Sequence, residues 1–269
     1  MTAISINENE GLLALNNIVC ETDFVAANEK FVYFTKLFAN LILEHKDEIQ
    51  KEDYDTLKID KYFNNVDSEI KGLTINECVK YLISKTGENC QIKNLLLHKF
   101  NPENEVVGIY LHNTVGENIG KKAAFVILQS EGKMSENQRK KFKELADQVA
   151  MQIIASKPKY LNRSEISEEI LHKESELIKE GIIAMTKDSS IQSKNDDTDY
   201  SSLSEEKLNK LINRKIENWI ESNCLNEQEF VIIDHDAKNS NEKVINIVSK
   251  RSKNFGVING KIKEFRSFL

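Results

Sequence analysis

The chain has 269 residues, of which 40% are hydrophobic and 30% are charged, and its formal net charge is -6 at pH 7. A chain of this length and apolar content is able to bury one or two ordinary cores. The acidic balance argues against a nucleic-acid-binding protein, which normally presents a basic face, and it fits a partner that is a protein. No apolar run approaches 18 residues, so the sequence predicts no membrane span.

Four cysteines lie far apart, at Cys20, Cys78, Cys90 and Cys224, with no Cys-x-x-Cys spacing. They indicate reduced intracellular thiols, not a disulfide framework or a zinc site. The histidines are scattered, and the sequence contains no glycine-rich phosphate loop, no His-Glu-x-x-His and no Gly-x-Ser-x-Gly. We therefore expect no catalytic residue, no metal site and no cofactor.

The beginning of the chain, residues 1–9, is polar and acidic and has no targeting character. We expect it to be disordered, or to mark the point at which a longer chain was trimmed. Residues 12–19 form an apolar run that predicts a half-buried strand, and a long helix is predicted from Glu29 to His45. The apolar residues of this helix recur at helical spacing: Phe31, Phe34, Phe38, Leu41 and Ile42.

Between this strand and this helix lies a short acidic turn, Glu21-Thr22-Asp23-Phe24, that carries one phenylalanine. A carboxylate beside an aromatic ring, on a turn held by two anchored elements, suits insertion into another macromolecule. In the alternative interpretation Asp23 is a local helix cap and Phe24 folds back into the core, because most phenylalanines are buried. The residues alone leave both interpretations open.

The middle of the chain alternates irregular and regular segments. Residues 46–73 are polar, and we expect one short helix within them. Thr74-Ile75-Asn76-Glu77 has the pattern of a capping box, which predicts a helix to about Lys85 with Gly87 just past its end. Three strands are then predicted, at about residues 90–99, 105–112 and 119–129.

A second capping box, Ser135-Glu136-Asn137-Gln138, opens a helix with an apolar stripe on one face. Met151 points almost opposite this stripe, so it is predicted to be exposed and to need a second layer or a partner. Pro158 ends the helix. The stripe consists of Phe142, Leu145, Ala146, Val149 and Ile153, and the residues near Met151 are Gln148, Gln152 and Ala155.

The last third of the chain predicts a pair of helices followed by short elements. Asn162-Arg163-Ser164-Glu165 is expected to cap a helix that runs to about Met185. Residues 186–202 are polar and indicate a flexible loop, and a helix with one apolar face follows at about Ser204 to Ser222. The short elements are predicted at Phe230-Val231-Ile232-Ile233, near Val244 to Ser249 and near Lys261 to Phe268.

Four segments of the chain are informative as an ordered set, and together they cover roughly residues 10 to 180. They are Cys20-Glu21-Thr22-Asp23-Phe24-Val25-Ala26, Thr86-Gly87-Glu88-Asn89, Gly108-Ile109-Tyr110-Leu111-His112 with Ile119-Gly120, and Ala150 to Leu161 with Ile166 and Lys173-Glu174. In this order the set resembles the elongation factor Ts family: the first segment resembles the family signature, the second its Gly-Glu-Asn turn, the third its core hairpin and the fourth the helix-Pro-helix junction that ends its core.

The resemblance implies an α+β fold, with antiparallel sheets in two half-cores packed with helices and a protruding antiparallel helical hairpin. The small N-terminal helical module of the family has no room before Leu12. The implied organisation is an N-terminal half-core at 10–132, a helix-Pro junction at 133–162, a helical hairpin at 163–224 with a flexible tip at 186–203, and the remainder of the C-terminal half-core at 225–269.

The function implied by the resemblance is non-enzymatic exchange of guanine nucleotide on the GTPase elongation factor Tu, with release of GDP when its Mg²⁺ and phosphate site is disturbed. The family's Mg²⁺-dislocating turn corresponds to Thr22, Asp23, Phe24 and Val25, with Phe24 as the wedge. A second contact corresponds to His112, Ile119, Gly120, Met151 and Gln152. Gln152 stands where the family often has histidine, and Asn113 to Asn118 looks longer than the family turn.

Two other function classes stay open. One is a small-molecule enzyme that uses Asp23 and Cys20, although a cysteine at the end of a strand is more often an inert thiol. The other is a scaffold or chaperone-like protein that binds through its helical arm, without exchange activity. The many Asn, Lys and Ile residues resemble the bias of an AT-rich genome and favour a eukaryotic organelle, mitochondrion or plastid (apicoplast), over a bacterial cytoplasm.

Overall fold

The computed structural model describes residues 1–44, 69–187, 205–231 and 242–269. Within these residues the chain divides into two compact units, one formed by residues 1–155 with 248–269 and the other by residues 156–247. The short helix expected within 46–73 falls mostly outside the described residues. The tip at 186–203 and the end of the apolar run at residues 230–233 also fall largely outside them.

One antiparallel sheet of six strands organises the first unit. Strands β3, β2, β1, β5 and β4 lie side by side in that order, and β6 pairs with β5. The strands of both predicted halves therefore join one sheet, and the α+β class is confirmed. The strands are β1 (Thr2–Asn7), β2 (Leu12–Val19), β3 (Gln91–Lys99), β4 (Glu105–Gly116), β5 (Ile119–Gln129) and β6 (Lys261–Phe268).

The beginning of the chain is ordered, so the expectation of disorder in residues 1–9 is wrong. All six residues of β1 pair with β2, from Thr2 opposite Asn17 to Asn7 opposite Leu12. Ala3 and Ile4 are buried in two different apolar clusters, because successive strand residues point to opposite faces. Pairing with β2 orders this segment, and the composition of residues 1–9 taken alone did not reveal that pairing.

One face of the sheet is covered by two helices and by the short helix that contains Phe24. They are α1 (Asp23–Ala26), α2 (Glu29–Glu44) and α3 (Ile75–Thr86). The predicted stripe of α2 is buried, with Phe31 and Phe38 fully inaccessible. Thr74 and Glu77 form the predicted capping box of α3, and Gly87 ends that helix in the left-handed conformation at φ 74°.

Helix α4 (Glu136–Ser156) packs on the sheet with its predicted stripe buried. Its N-terminal capping box is present, since Ser135 and Gln138 exchange hydrogen bonds of 2.9 and 3.4 Å. The helix crosses β4 at Gly108, where a Cβ atom would lie 2.1 Å from the backbone carbon of Ala146. Only glycine at this position permits such a close approach of helix and strand.

The second unit contains an antiparallel helical hairpin, α5 (Glu168–Lys187) and α6 (Glu205–Asn223). Its base is closed by paired main chain at Tyr160 and Cys224 and by Arg163, which contacts Glu217 through two nitrogens at 2.8 and 2.9 Å. The expected cap of α5 shifts along the chain: Arg163–Glu165 is a 3-10 turn, and Ser167 Oγ accepts a 3.4 Å bond from the Ile170 N–H. A last helix, α7 (Val244–Asn254), precedes β6.

Candidate partner-binding site

The turn between β2 and α2 is a single helical turn with a threonine cap. Thr22 has an extended backbone, and its Oγ1 accepts a 3.4 Å hydrogen bond from the Val25 N–H. The Thr22 carbonyl accepts a second bond of 3.2 Å, from the Ala26 N–H. Threonine is a favoured cap because its short side chain satisfies an otherwise unpaired helix N–H. Asp23, proposed as the cap in one interpretation of the sequence, is therefore the first residue of the helix instead.

A carboxylate from a distant part of the chain holds this cap in place. Glu88 accepts a 2.9 Å hydrogen bond from the Thr22 N–H and a 2.5 Å bond from the Thr22 hydroxyl. Glu88 lies in the turn that connects α3 to β3, so two of the segments that carry the family resemblance touch each other. We call the contact between Glu88 and Thr22 the carboxylate clamp. No sequence pattern indicated a role for Glu88 by itself.

The two middle side chains of α1 point in opposite directions. Val25 and the following Ala26 are 7% and 8% exposed and belong to the apolar cluster beneath α2. Phe24 is 90% exposed. A phenylalanine in open solvent retains the unfavourable hydration of a large apolar ring, which burial would relieve by about 1.5–3 kcal/mol. The interpretation that returns Phe24 to the core is therefore wrong.

An ion pair connects the turn to the start of β5. Lys121 Nζ donates a 2.7 Å hydrogen bond to Asp23 Oδ1, and this contact holds the pKa of Asp23 below its usual range. The Asp23 side chain remains 85% exposed, so the pair is fully hydrated on one side. Since Lys121 directly follows Ile119 and Gly120, the structure brings the two predicted contact regions together through this pair.

Ile119 and Gly120 themselves are buried, which corrects their predicted role as an apolar surface contact. Ile119 is 0% exposed, and it pairs with Ala3 while Gly120 pairs with Thr2. Ile119 lies in the apolar cluster beneath α2, and β1, which the sequence did not predict, occupies the backbone edge of both positions. The apolar side chain that this hairpin exposes is Val115, at 40%.

The connection between β4 and β5 is shorter than the predicted turn at Asn113 to Asn118. Strand β4 continues to Gly116, with an irregular register between Thr114 and Gly116. Asn113 and Asn118 have left-handed backbones, at φ 53° and 59°. Asparagine tolerates this region better than most residues, and these two residues were the available sequence signal for a kinked strand end.

The remaining predicted contacts differ in exposure. Met151 is 37% exposed, as its helical position predicted. His112 is half-buried, and its Nδ1 lies 3.5 Å from the Tyr110 hydroxyl. Gln152 is 1% exposed, so the prediction that it shares the open face with Met151 is wrong. Around Gln152 the end of α4 is covered on more than one face, and a single stripe no longer describes its burial.

The geometry gives little to a small-molecule reaction at this turn. Burial raises the pKa of the Cys20 thiol, whose Sγ donates to the Thr22 carbonyl at 3.3 Å, so the reactive thiolate is disfavoured. Asp23 is exposed with a lowered pKa, the opposite of a carboxylate tuned to accept a proton near neutral pH. The described residues contain no cluster of side chains suited to hold a metal ion.

The model of the protein family described as "Elongation factor TS" matches residues 21–268 of this chain. The chain belongs to the elongation factor Ts family. Elongation factor Ts of Ehrlichia canis (strain Jake) is 32% identical over 72% of this chain and 60% of its own length. The mitochondrial elongation factor Ts of Plasmodium chabaudi chabaudi is 26% identical over 96% of this chain and 66% of its own.

A third relative, elongation factor Ts of Clostridium tetani, is 29% identical over 93% of this chain and 68% of its own length. The chain thus spans between about three fifths and two thirds of the length of these relatives. Among the described helices, none is both long and apolar enough to cross a bilayer.

Proposed function

We propose that this chain is a guanine nucleotide exchange factor of translation elongation, which binds elongation factor Tu carrying GDP and promotes release of the nucleotide. One observation carries the proposal: Phe24 is 90% exposed on a turn whose other side chains are anchored. Exposed apolar anchors on rigid supports are typical interface hot spots. Membership of the elongation factor Ts family supports this choice of partner.

In the proposed mechanism Phe24 enters the GTPase as a wedge, and Asp23 lies beside the region that contacts the Mg²⁺ ion. The carboxylate clamp and buried Val25 keep the turn in place when Phe24 inserts, because Thr22 is held by two hydrogen bonds to Glu88. Of the expected second contact, His112 and Met151 retain accessible surface. The second contact would use them together with Val115, in place of buried Ile119 and Gln152.

The energetics require more than the wedge. A factor weakens nucleotide affinity only if it binds the nucleotide-free GTPase better than the loaded one, and the nucleotide must expel the factor by the same free energy. Reversing a population from about 1:99 to 99:1 takes about 5.5 kcal/mol. Burial of one phenylalanine supplies roughly 1.5–3 kcal/mol. Displacement of Mg²⁺, which demands near-octahedral coordination, is the proposed source of the rest.

The test is release of fluorescent GDP from elongation factor Tu in a stopped-flow instrument. Phe24→Ala is expected to lose about 2 kcal/mol or more of binding free energy, and so to need at least about 30-fold more factor for the same release rate. Unchanged release would contradict the wedge assignment.

A matched control is Ile258→Ala, which truncates another exposed apolar side chain, at 61% exposure. Ile258 lies beside Glu131, past the far end of β5, about 30 Å along the strand from Lys121. This variant is expected to retain wild-type release.

A pull-down with nucleotide-free elongation factor Tu should retain the chain, and excess GDP with Mg²⁺ should elute it. Retention that is the same with and without GDP and Mg²⁺ would indicate a scaffold without exchange activity.

We also propose that the chain works in a eukaryotic organelle, a mitochondrion or a plastid. One similar protein carries the word mitochondrial in its name, whereas the Ehrlichia and Clostridium relatives are bacterial and represent the alternative. Immunofluorescence against mitochondrial and plastid markers in the source cell would decide between them.

A further inference from the structure

Two cysteines come directly after the last paired residues of β2 and β3, at the base of the Phe24 turn. The last register pair of β2 and β3 joins Val19 to Gln91, and Cys20 and Cys90 are the next residues outward on each strand. Directly opposed residues of antiparallel strands have Cα atoms about 4.5–5.5 Å apart. A disulfide needs a Cα separation of about 4.4–6.8 Å, so this position satisfies the first requirement for a covalent bridge.

The side chains of this pair also share one face. Side chains alternate along a strand, and Ile18, two residues before Cys20, belongs to the cluster beneath α2. Cys90 is buried in that same cluster, and Cys20 packs against it while partly open to solvent. The charge of an ionised Cys90 raises the pKa of Cys20 further, which agrees with this proximity.

We propose that Cys20 and Cys90 are a modification site that takes up a reversible disulfide in response to a low-molecular-weight disulfide such as oxidised glutathione. The bridge would join the same two segments as the carboxylate clamp, since Thr22 and Glu88 each lie two residues beyond one of the cysteines. It therefore acts as a covalent version of the clamp. Its bearing on nucleotide release rests on the function proposed above.

The chemistry balances as a thiol-disulfide exchange. The more exposed Cys20 thiolate attacks one sulfur of oxidised glutathione, forms a mixed disulfide and releases the first glutathione. The Cys90 thiolate then attacks the Cys20 sulfur, and the second glutathione leaves as the Cys20–Cys90 bond forms. Two electrons pass to glutathione, and the two protons lost by the cysteines appear on its two thiols.

The reaction should be slow at neutral pH and accelerate with alkalinity. Burial raises the pKa of both thiols, and only the thiolate attacks. Below the pKa the thiolate fraction grows about tenfold per pH unit, so the rate should still increase between pH 8 and 9. Cys78 provides an internal comparison, since it is fully buried in the same cluster but lies on α3.

The test treats the folded 269-residue chain with oxidised glutathione and maps its tryptic peptides without reduction. The expected product joins peptide 1–30 to peptide 86–93, which contain Cys20 and Cys90. The double variant Cys78→Ser, Cys224→Ser should form the same product, and Cys20→Ser or Cys90→Ser should abolish it. A stable glutathione adduct on Cys20 with Cys90 still free, or a bridge to Cys78, would overturn the proposal.

A second measurement asks whether the bridge replaces the clamp. The Glu88→Ala variant should release GDP from elongation factor Tu slowly when reduced, and oxidation should restore at least half of the lost rate. A confirmed bridge with no recovery would refute its role in holding the turn. If wild-type protein forms the bridge but neither redox form releases nucleotide, the proposed function fails while the modification site stands.

Discussion

The Phe24 turn and the beginning of β5 are adjacent regions that each carry a large apolar side chain, but the turn exposes it and the strand buries it. Both match the family resemblance, and the Asp23–Lys121 pair connects them at 2.7 Å. Phe24 is 90% exposed, whereas Ile119 is 0% exposed. Within the described residues the outer side of the turn is open to solvent, whereas Ile119 lies in the apolar cluster beneath α2.

This difference in exposure indicates that Ile119 and Phe24 have different roles. Ile119 contributes to stability and fixes the direction of the strand that carries Lys121. Phe24 contributes nothing comparable to the stability of its own domain and is available to a partner. A sequence motif assigns both residues to one surface, but only burial distinguishes a support from a contact.

The largest expected effect is on the free energy of unfolding, which should depend on Ile119 and not on Phe24. Ile119→Ala should lower the free energy of unfolding by about 3 kcal/mol, because a fully buried isoleucine leaves a cavity. Phe24→Ala should change it by less than about 0.5 kcal/mol, since an exposed side chain has little to lose. Calorimetric melting curves check both, with Val115→Ala in the same hairpin as the control. A larger loss for Phe24→Ala would reverse the assignment.

The carboxylate clamp gives the next effect. Glu88→Ala removes both acceptors of Thr22 and should cost about 1 to 2 kcal/mol of affinity for elongation factor Tu, since bonds to charged groups are worth about 1.5–3 kcal/mol when intact. Isothermal titration with the nucleotide-free GTPase measures it. Glu88→Gln, which retains an acceptor, should lose less. Glu21→Ala, an equal change of charge beside the clamp, should behave as wild type; equal losses in all three would mean that charge alone matters.

Met151 tests whether the contact surface extends to α4. Met151→Glu should weaken binding by about 1 kcal/mol, because its 37% exposed side chain would bring a charge into an apolar contact. The melting temperature should shift by no more than a few degrees, and Met151→Leu should retain affinity. Wild-type affinity combined with a large loss of melting temperature would instead identify Met151 as a core residue.

The smallest effect concerns the ion pair, which is hydrated and contributes little to stability. Lys121 lowers the pKa of Asp23, so the pair's contribution is complete above the ordinary value of 3.8 and is lost as pH falls through the lower folded value. An NMR titration of the Asp23 carboxyl should show its midpoint rise in Lys121→Met. The neighbouring change Lys122→Met should leave it in place, and an identical midpoint in all three proteins would exclude the pair in solution.

Local patterns predicted most of the helices well. The capping boxes at Thr74 and Ser135 are present, and the stripe of α4 is buried as its spacing required. Such features depend on neighbours three and four residues apart, which any reader of the chain can see. The expectation of disorder at residues 1–9 was wrong because pairing with β2 and β5 orders them, and the exposure predicted for Gln152 was wrong because the end of α4 is buried on more than one face.

The candidate site shows the same limit at closer range. The signature turn and its phenylalanine were identifiable from residues 20–26, but two interpretations of Phe24 survived until its exposure was known. Glu88 drew no attention because its partner lies 66 residues away. Cys20 and Cys90 likewise appeared unrelated until the register of β2 and β3 placed them directly after the last paired residues of these strands.

The sequence by itself determined the main helices, the turn that carries Phe24 and the family resemblance, which in turn implied the α+β class, because each depends on short-range periodicity, capping or a contiguous motif. Only the tertiary structure decided which apolar residues face solvent, which carboxylate holds the turn and which cysteines follow paired strand ends. Those outcomes depend on contacts between distant segments, such as the apolar cluster beneath α2, which buries Ile119 while Phe24 stays in water.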